Sequence, residues 1–134
     1  MKRQEMLTVF LLGGFGYGLC EIVWRGYTHP TMFLLGGVCL VCLYAGNKRY
    51  CLLPFSLRCV CGGIVITSLE LVTGSIVNIL LGMNVWDYSD MPLNLYGQVC
   101  PQFLLAWILL CVPALFLCKK IALIFGNTFM KKLP

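Results

Sequence analysis

Residues 58–87 read RCVCGGIVITSLELVTGSIVNILLGMNVWD, and this stretch decides the fold. Between Arg58 and Asp87 the only charged residue is Glu70, and the stretch is long enough to cross a bilayer as a helix of ~20 residues. A carboxylate at the centre of a bilayer is costly, so it is normally paired, protonated or turned toward water inside a bundle. The stretch therefore predicts a transmembrane helix with a candidate functional residue, Glu70, near its middle.

The composition of the whole chain extends this reading. Of 134 residues, 60% are hydrophobic and 11% are charged, whereas about a quarter of the residues in soluble domains are charged. At ~20 residues per crossing, the length accommodates four spans and no soluble domain. This excludes nucleotide hydrolysis, dinucleotide-dependent redox chemistry and binding of nucleic acid, and it predicts no cofactor.

The apolar runs predict an all-α polytopic membrane protein, with residues 1–134 forming a single transmembrane domain. The four spans are expected at about 6–23, 31–45, 55–81 and 99–118, the first as a retained signal-anchor helix. The second is short for ~30 Å of hydrocarbon. Residues 119–134 hold apolar side chains between two lysine pairs, which predicts an interfacial amphipathic helix on anionic lipid.

The basic residues indicate the orientation. All but one of the ten lysines and arginines fall on one side of a four-span arrangement. The other side holds Arg25 together with Asp87 and Asp90. Because short cytoplasmic loops are rich in Lys and Arg, both termini are expected in the cytoplasm. The net charge of +5 therefore reflects topology rather than an anionic partner.

The nine cysteines do not predict a metal site. Most of them lie in or beside apolar runs, where cysteine behaves as a small hydrophobic residue. Cys39 and Cys42 have a metal-like spacing, but there is no second ligand pair and His29 is the only histidine.

Polar and small residues form one stripe on each of two predicted helices. Spacings of three and four place these residues on a single helical face. The third span carries Gly63, Thr67, Glu70, Gly74 and Asn78, and the first carries Gly14, Gly18, Glu21 and Arg25. Glycines allow close packing of helices. Packing does not require the two glutamates, which therefore indicate a functional site.

Different partners are expected for the two glutamates. Arg25 lies one turn from Glu21 on the same face and is its expected partner. Glu70 is ~18 Å of helix from Arg58 and has no basic residue at its depth. Three alternatives stay open for Glu70: hydrogen bonds from Tyr17, Thr67, Asn78 or Gln102, protonation at neutral pH, or a bound cation.

The loop after the third span is rich in aromatic and acidic residues. Trp86, Tyr88 and Tyr96 suit an aromatic belt at the membrane interface. Asp90 and Asn94 fit equally well as turn and cap residues or as part of a site. Gln98 continues the polar patch toward the fourth span. The residues proposed to bind a substrate or ion are Glu21, Arg25, Glu70, Asn78, Trp86, Asp87, Asn94 and Gln98.

Four segments resemble a known family. They are YGLCE at 17–21, LELVTG at 69–74, VWDYS at 85–89 and PLNLYGQVC at 92–100. Together they resemble the ABC-transporter type IV (CmpB-like) permease family of small four-span membrane proteins, whose bacterial members imply an inner-membrane location. The resemblance implies that Glu21, Glu70, Trp86, Asp87, Asn94 and Gly97 belong to one site.

Three functions compete at this stage. The first is a small transporter or permease-like subunit in which Glu70 binds a cation or couples a solute to protons. Because one chain has few helices, this requires a homo-oligomer or a partner membrane subunit. The second is an accessory or assembly subunit of a membrane complex. The third is a lipid-binding membrane enzyme, although no nucleophile–base pair is visible and catalytic residues are not expected.

Overall fold

The computed structural model describes residues 2–127 and contains four long helices. Each is long and apolar enough to cross a membrane, and the described residues form no strand. The predicted all-α, four-span fold is therefore confirmed. The helices are α1 (Arg3–Arg25), α2 (Pro30–Arg49), α3 (Phe55–Gly74), which continues as a π-helical segment (Ser75–Leu80), and α4 (Pro101–Ile124).

The helices pack as two antiparallel pairs, α1 with α2 and α3 with α4. One end of the bundle, here called the terminal end, holds the start of α1 and the end of α4. The other, the loop end, holds the α1–α2 turn and the connection from residue 81 to residue 100. The long connection lies against the helices, with Val85 and Trp86 buried in the core.

Local signals set the turns at the loop end. Gly26 adopts φ +78° and its N–H donates to the carbonyl of Ile22, which closes α1 as a left-handed C-cap. Nδ1 of His29 then accepts a hydrogen bond from the N–H of Thr31, at 3.3 Å, and Pro30 occupies the first turn of α2. Pro101 likewise occupies the first turn of α4, without a side-chain cap before it.

Helix α1 exceeds its predicted span by two or three residues at each end, and two helices end well beyond theirs. Helix α2 continues to Arg49 rather than ending near residue 45, so its 20 residues measure ~30 Å and suffice for a crossing. Helix α4 continues past Cys118 to Ile124, so the tail predicted from residue 119 begins as the last turns of α4. No proline separates these segments from the helices, Gly46 is accommodated within α2, and lysine and arginine are good helix formers. Residues 128–134 of the predicted tail lie outside the described part.

Glycines set the closest contact between α1 and α2. A Cβ atom on Gly13 would lie 2.5 Å from the carbonyl oxygen of Gly36, so the two backbones touch. The predicted pair Gly14 and Gly18 lies beside this point, with Gly14 under the ring of Phe33. The contact sits roughly one turn from Tyr17, and it fixes the position of α1 against the bundle.

Candidate functional site

Glu70 lies where α1, α3 and α4 meet, and it is only 2% exposed. The hydroxyl of Tyr17 donates to Oε1 at 2.8 Å, and the indole N–H of Trp107 donates to Oε2 at 2.8 Å. The two rings are stacked with centroids 5.4 Å apart. No lysine or arginine forms an ion pair with Glu70 within residues 2–127. The carboxyl group is therefore held by two neutral donors.

One of the hydrogen-bond partners predicted for Glu70 from the sequence is present in the structure. Tyr17 was among the expected partners, and its contact is present. Trp107 was missed, because tryptophan in an apolar span is typical of lipid-facing or core packing. The hydroxyl of Thr67 is buried and has no hydrogen-bond partner within the described residues, and Asn78 bonds elsewhere. Gln102 lines the cavity described next and is not bonded to Glu70.

A cavity of about 510 Å³ opens beside Glu70, toward the loop end. Its wall combines aromatic side chains with one ion pair. Tyr17 and Trp107 form part of that wall, whereas Glu70 itself lies behind them. A ligand in the cavity therefore reaches the Glu70 carboxyl group only if these two side chains move.

Glu21 and Arg25 supply the charges of the cavity wall, and the expected pairing between them is present. Nη2 of Arg25 lies 2.6 Å from Oε2 of Glu21. Its Nη1 donates to the carbonyl oxygen of Val85 at 2.8 Å, and its guanidinium carbon is 4.7 Å from the ring centroid of Tyr27. Arg25 thus connects α1 to the long loop.

Asn78 and Gln98 hold that loop against the bundle. Asn78 lies in the π-helical segment, and its amide donates to Oε1 of Gln98 at 2.8 Å. Its Oδ1 accepts from the N–H of Val85 at 2.7 Å. The indole N–H of Trp86 donates to the carbonyl oxygen of Gln98 at 2.9 Å. π-helical turns are frequent at functional sites, and here the turn places Asn78 under the loop.

Asp87 and Asn94 shape the outer part of the loop. Oδ1 of Asp87 accepts from the N–H of Ser89 at 2.9 Å and from its hydroxyl, and these bonds hold the pKa of Asp87 below its ordinary value. Asn94 donates to the carbonyl of Met91 at 2.9 Å and accepts from the N–H of Gly97 at 2.9 Å. The turn and cap role is thus observed for Asn94, and both side chains bond within the loop rather than into the cavity.

Tyr88 turns from this loop back toward the cavity. Its ring stacks on Phe103 of α4, with centroids 4.5 Å apart and an interplanar angle of 13°. Burial raises the pKa of its phenol, so the group is neutral at physiological pH. Neither Phe103 nor this stacking was anticipated, since sequence spacing does not relate a loop residue to a helix that follows it.

A second polar cluster, which was not predicted from the sequence, lies at the terminal end. Glu5 is 4% exposed, and the hydroxyl of Tyr44 donates to its Oε1. The N–H of Lys2 donates to its other oxygen at 3.1 Å. Asn47, one turn from Tyr44, accepts from Arg58. The signals were available: a glutamate at the third position of a helix, typical of a capping box, and polar residues spaced by three on α2.

The structure thus divides the eight predicted site residues into three groups. Glu21, Arg25 and Trp86 line the cavity, and Glu70 lies behind its wall. Asn78 and Gln98 are buried beneath the loop, and Asp87 and Asn94 lie within it. No group of three or more His, Cys, Asp or Glu residues in the described range is placed to hold a metal ion.

Comparison with known proteins identifies one family. The model of the family described as "Putative ABC-transporter type IV" matches residues 6–133, nearly the whole chain. It is the family whose segments the sequence resembles. No curated protein and no solved structure matches the chain.

Proposed function

The chain belongs to the "Putative ABC-transporter type IV" family of membrane proteins, and on this basis we propose that it acts in transport, with Glu70 as the group that binds a cation or a proton. One observation carries the proposal. Glu70 is a nearly inaccessible acid held only by neutral donors, and it stands directly behind the wall of a cavity of about 510 Å³. Burying an acid without a basic partner costs folding free energy, and packing alone gives no reason to retain a glutamate there.

The contacts suggest how such a group would work. Tyr17 and Trp107 separate Glu70 from the cavity and donate to its two oxygens. A cation that replaced these donors would neutralise the carboxylate, and protonation would do the same without any displacement. Either event removes the charge that both donors stabilise, so the two rings become free to move. Binding of a cation or a proton to Glu70 would thus change the shape of the cavity through these two donors.

The arrangement in the membrane is part of this proposal. Within residues 2–127, all lysines and arginines except Arg25 lie at the terminal end, so in this proposal both termini face the cytoplasm and the loop end faces outward, in the bacterial inner membrane. One chain supplies only four helices, so a pathway with alternating access requires a homo-oligomer or a partner membrane subunit. Large apolar side chains on α1, such as Phe15 and Val23, are exposed and suit lipid or another subunit.

The accessory-subunit alternative required the polar stripes to dock onto another protein. Glu70 and Asn78 are buried within the chain, and Glu21 pairs with a residue of its own helix. These side chains are therefore not displayed on the outside of the bundle, which favours transport over docking.

Ion flux into proteoliposomes tests the proposal. We expect flux of protons or of one cation from a panel with the native chain, and a loss of at least tenfold with Glu70→Gln, which keeps the shape and removes the charge. Glu5→Gln is the control, because Glu5 is also little exposed and accepts a hydrogen bond from a tyrosine but lies at the terminal end, away from the cavity. Its flux should stay within twofold of native. Flux that is unchanged in Glu70→Gln contradicts the role of Glu70.

A further inference from the structure

The cavity is walled mainly by aromatic rings. Helices α1 and α4 and the long loop contribute them, and they include every tryptophan of the chain. At about 510 Å³ the cavity has the size of pockets that enclose a small organic molecule. The aromatic residues are Tyr17, Trp24, Trp86, Tyr88, Phe103 and Trp107.

The charge around the cavity favours a positive ligand. Arg25 is the only basic residue of the wall, and its guanidinium is already bonded to Glu21 and to the carbonyl oxygen of Val85. It also lies over the ring of Tyr27. Oε1 of Glu21, by contrast, accepts no hydrogen bond from residues 2–127. Counting Glu70 behind the wall, two carboxyl groups lie at or near the cavity against one arginine.

Other ligand classes fit this wall less well. An anion would have to compete for Arg25, whose positive charge is already paired with Glu21 and which already donates to the carbonyl oxygen of Val85. An inorganic cation such as Ca²⁺ needs six or more oxygen ligands, which an aromatic wall does not provide. An ammonium ion with organic substituents is attracted to aromatic faces and carboxylates, and its substituents favour an apolar surface.

We propose that this cavity binds an organic ammonium ion, with its charge among the aromatic rings near Glu21 and its apolar part against Met32 and Leu110. The inference rests on the proposed transport function, because it names the class of solute that the protein would carry.

Three small molecules of the same shape provide the test. Choline carries a positive nitrogen, 3,3-dimethylbutan-1-ol replaces that nitrogen with carbon, and 3,3-dimethylbutanoate carries a negative charge on the same frame. Each is titrated into the purified chain in detergent while tryptophan fluorescence is recorded. Because all three tryptophans line the cavity, the signal reports on it directly. We expect a saturable change with choline and none with the other two molecules at equal concentration.

Two variants and a control locate the site. Phe103→Leu removes a ring and keeps an apolar side chain, and we expect choline affinity to fall roughly 3- to 30-fold. Glu21→Gln should weaken choline binding by a factor of ten or more. Phe116→Leu is the control, because Phe116 packs against Phe55 rather than against the cavity, and its affinity should stay within twofold of native.

The inference is overturned if the alcohol or the anion binds as tightly as choline, if Phe103→Leu and Phe116→Leu behave alike, or if choline gives no saturable change below about 10 mM. These outcomes are distinct from failure of the transport proposal. Flux of a proton or metal ion that depends on Glu70, without choline binding, removes this inference alone. Choline binding without flux of any ion supports the binding site and removes the transport proposal.

Discussion

Glu70 and Glu5 show how a membrane bundle accommodates buried acids. Each accepts a hydrogen bond from a tyrosine of another helix, Tyr17 for Glu70 and Tyr44 for Glu5. Glu5 also accepts the N–H at the start of its own helix, which is a structural role. Glu70 has no such local bond, and its second donor, Trp107, comes from α4. The difference explains why only Glu70 is proposed as a functional group.

The contribution of Asp87 to the stability of the long loop should depend on pH. Its bonds from Ser89 lower its pKa below the ordinary value of 3.8. A group whose pKa is lowered by folding stabilises the folded loop at pH values above its unfolded pKa, and it loses that contribution as the pH falls through the folded pKa. The stabilisation that Asp87 gives to the loop should therefore be present above pH 3.8 and be lost as the pH falls below that value.

Nuclear magnetic resonance titration of the Asp87 carboxyl carbon checks this expectation. Ser89→Ala removes the hydroxyl donor, so the pKa of Asp87 should rise toward its ordinary value. Ser68→Ala serves as a control, since Ser68 bonds only to its own helix on α3. An unchanged pKa in Ser89→Ala would show that the hydroxyl bond does not act on Asp87.

At the scale of elements, the crossing of α1 and α2 depends on Gly13. A methyl group there would meet the carbonyl oxygen of Gly36 at 2.5 Å, so the helices must separate. We expect Gly13→Ala to lower the free energy of unfolding in detergent by about 1–3 kcal/mol. Gly16 lies on the same helix with open space around it. Gly16→Ala should be neutral or stabilising by up to ~1 kcal/mol, since alanine favours the helix. Equal effects of the two substitutions would exclude a tight crossing.

At the loop end, the attachment of the long loop to the bundle depends on the hydrogen bonds of Asn78. Asn78→Leu leaves the N–H of Val85 and the amide oxygen of Gln98 without this partner. We expect a loss of about 1–3 kcal/mol for each buried group left unsatisfied. Hydrogen exchange at the Val85 amide should accelerate correspondingly. With Ser68→Ala, which alters an exposed hydroxyl, the exchange rate should not change. Unchanged protection of Val85 in Asn78→Leu would show that the loop is held by other contacts.

The whole molecule is a small bundle whose two ends differ in charge. Within residues 2–127, the terminal end carries every lysine and arginine except Arg25, whereas the loop end is capped by an ordered, mostly uncharged segment. This asymmetry underlies the proposed orientation, because a basic segment is retained in the cytoplasm during insertion. In the proposed orientation, the aromatic cavity opens toward the outer side.

Reporter fusions test the orientation in cells. Green fluorescent protein fused to either terminus should fluoresce, because it folds in the cytoplasm. Alkaline phosphatase, which requires an oxidising compartment for its disulfides, should be inactive there. Phosphatase inserted after Asp90, in the exposed part of the long loop, should be active. The reverse pattern would invert the assignment of both ends, and with it the side from which a ligand enters.

The amino-acid sequence by itself determined the class of protein, the four apolar helices and the pairing of Glu21 with Arg25. Each of these depends on composition, on runs of ~20 apolar residues or on contacts one helical turn apart, all of which are local along the chain. The family was also recognisable from short segments, and the match over residues 6–133 confirms it.

Only the tertiary structure decided the surroundings of Glu70. Tyr17 and Trp107 are separated from Glu70 by 53 and 37 positions, and no periodicity relates residues on different helices. Their meeting depends on how closely α1 approaches α2 at Gly13 and on how α3 packs against α4. The aromatic cavity arises from the same packing, because side chains of three helices and one loop enclose it together.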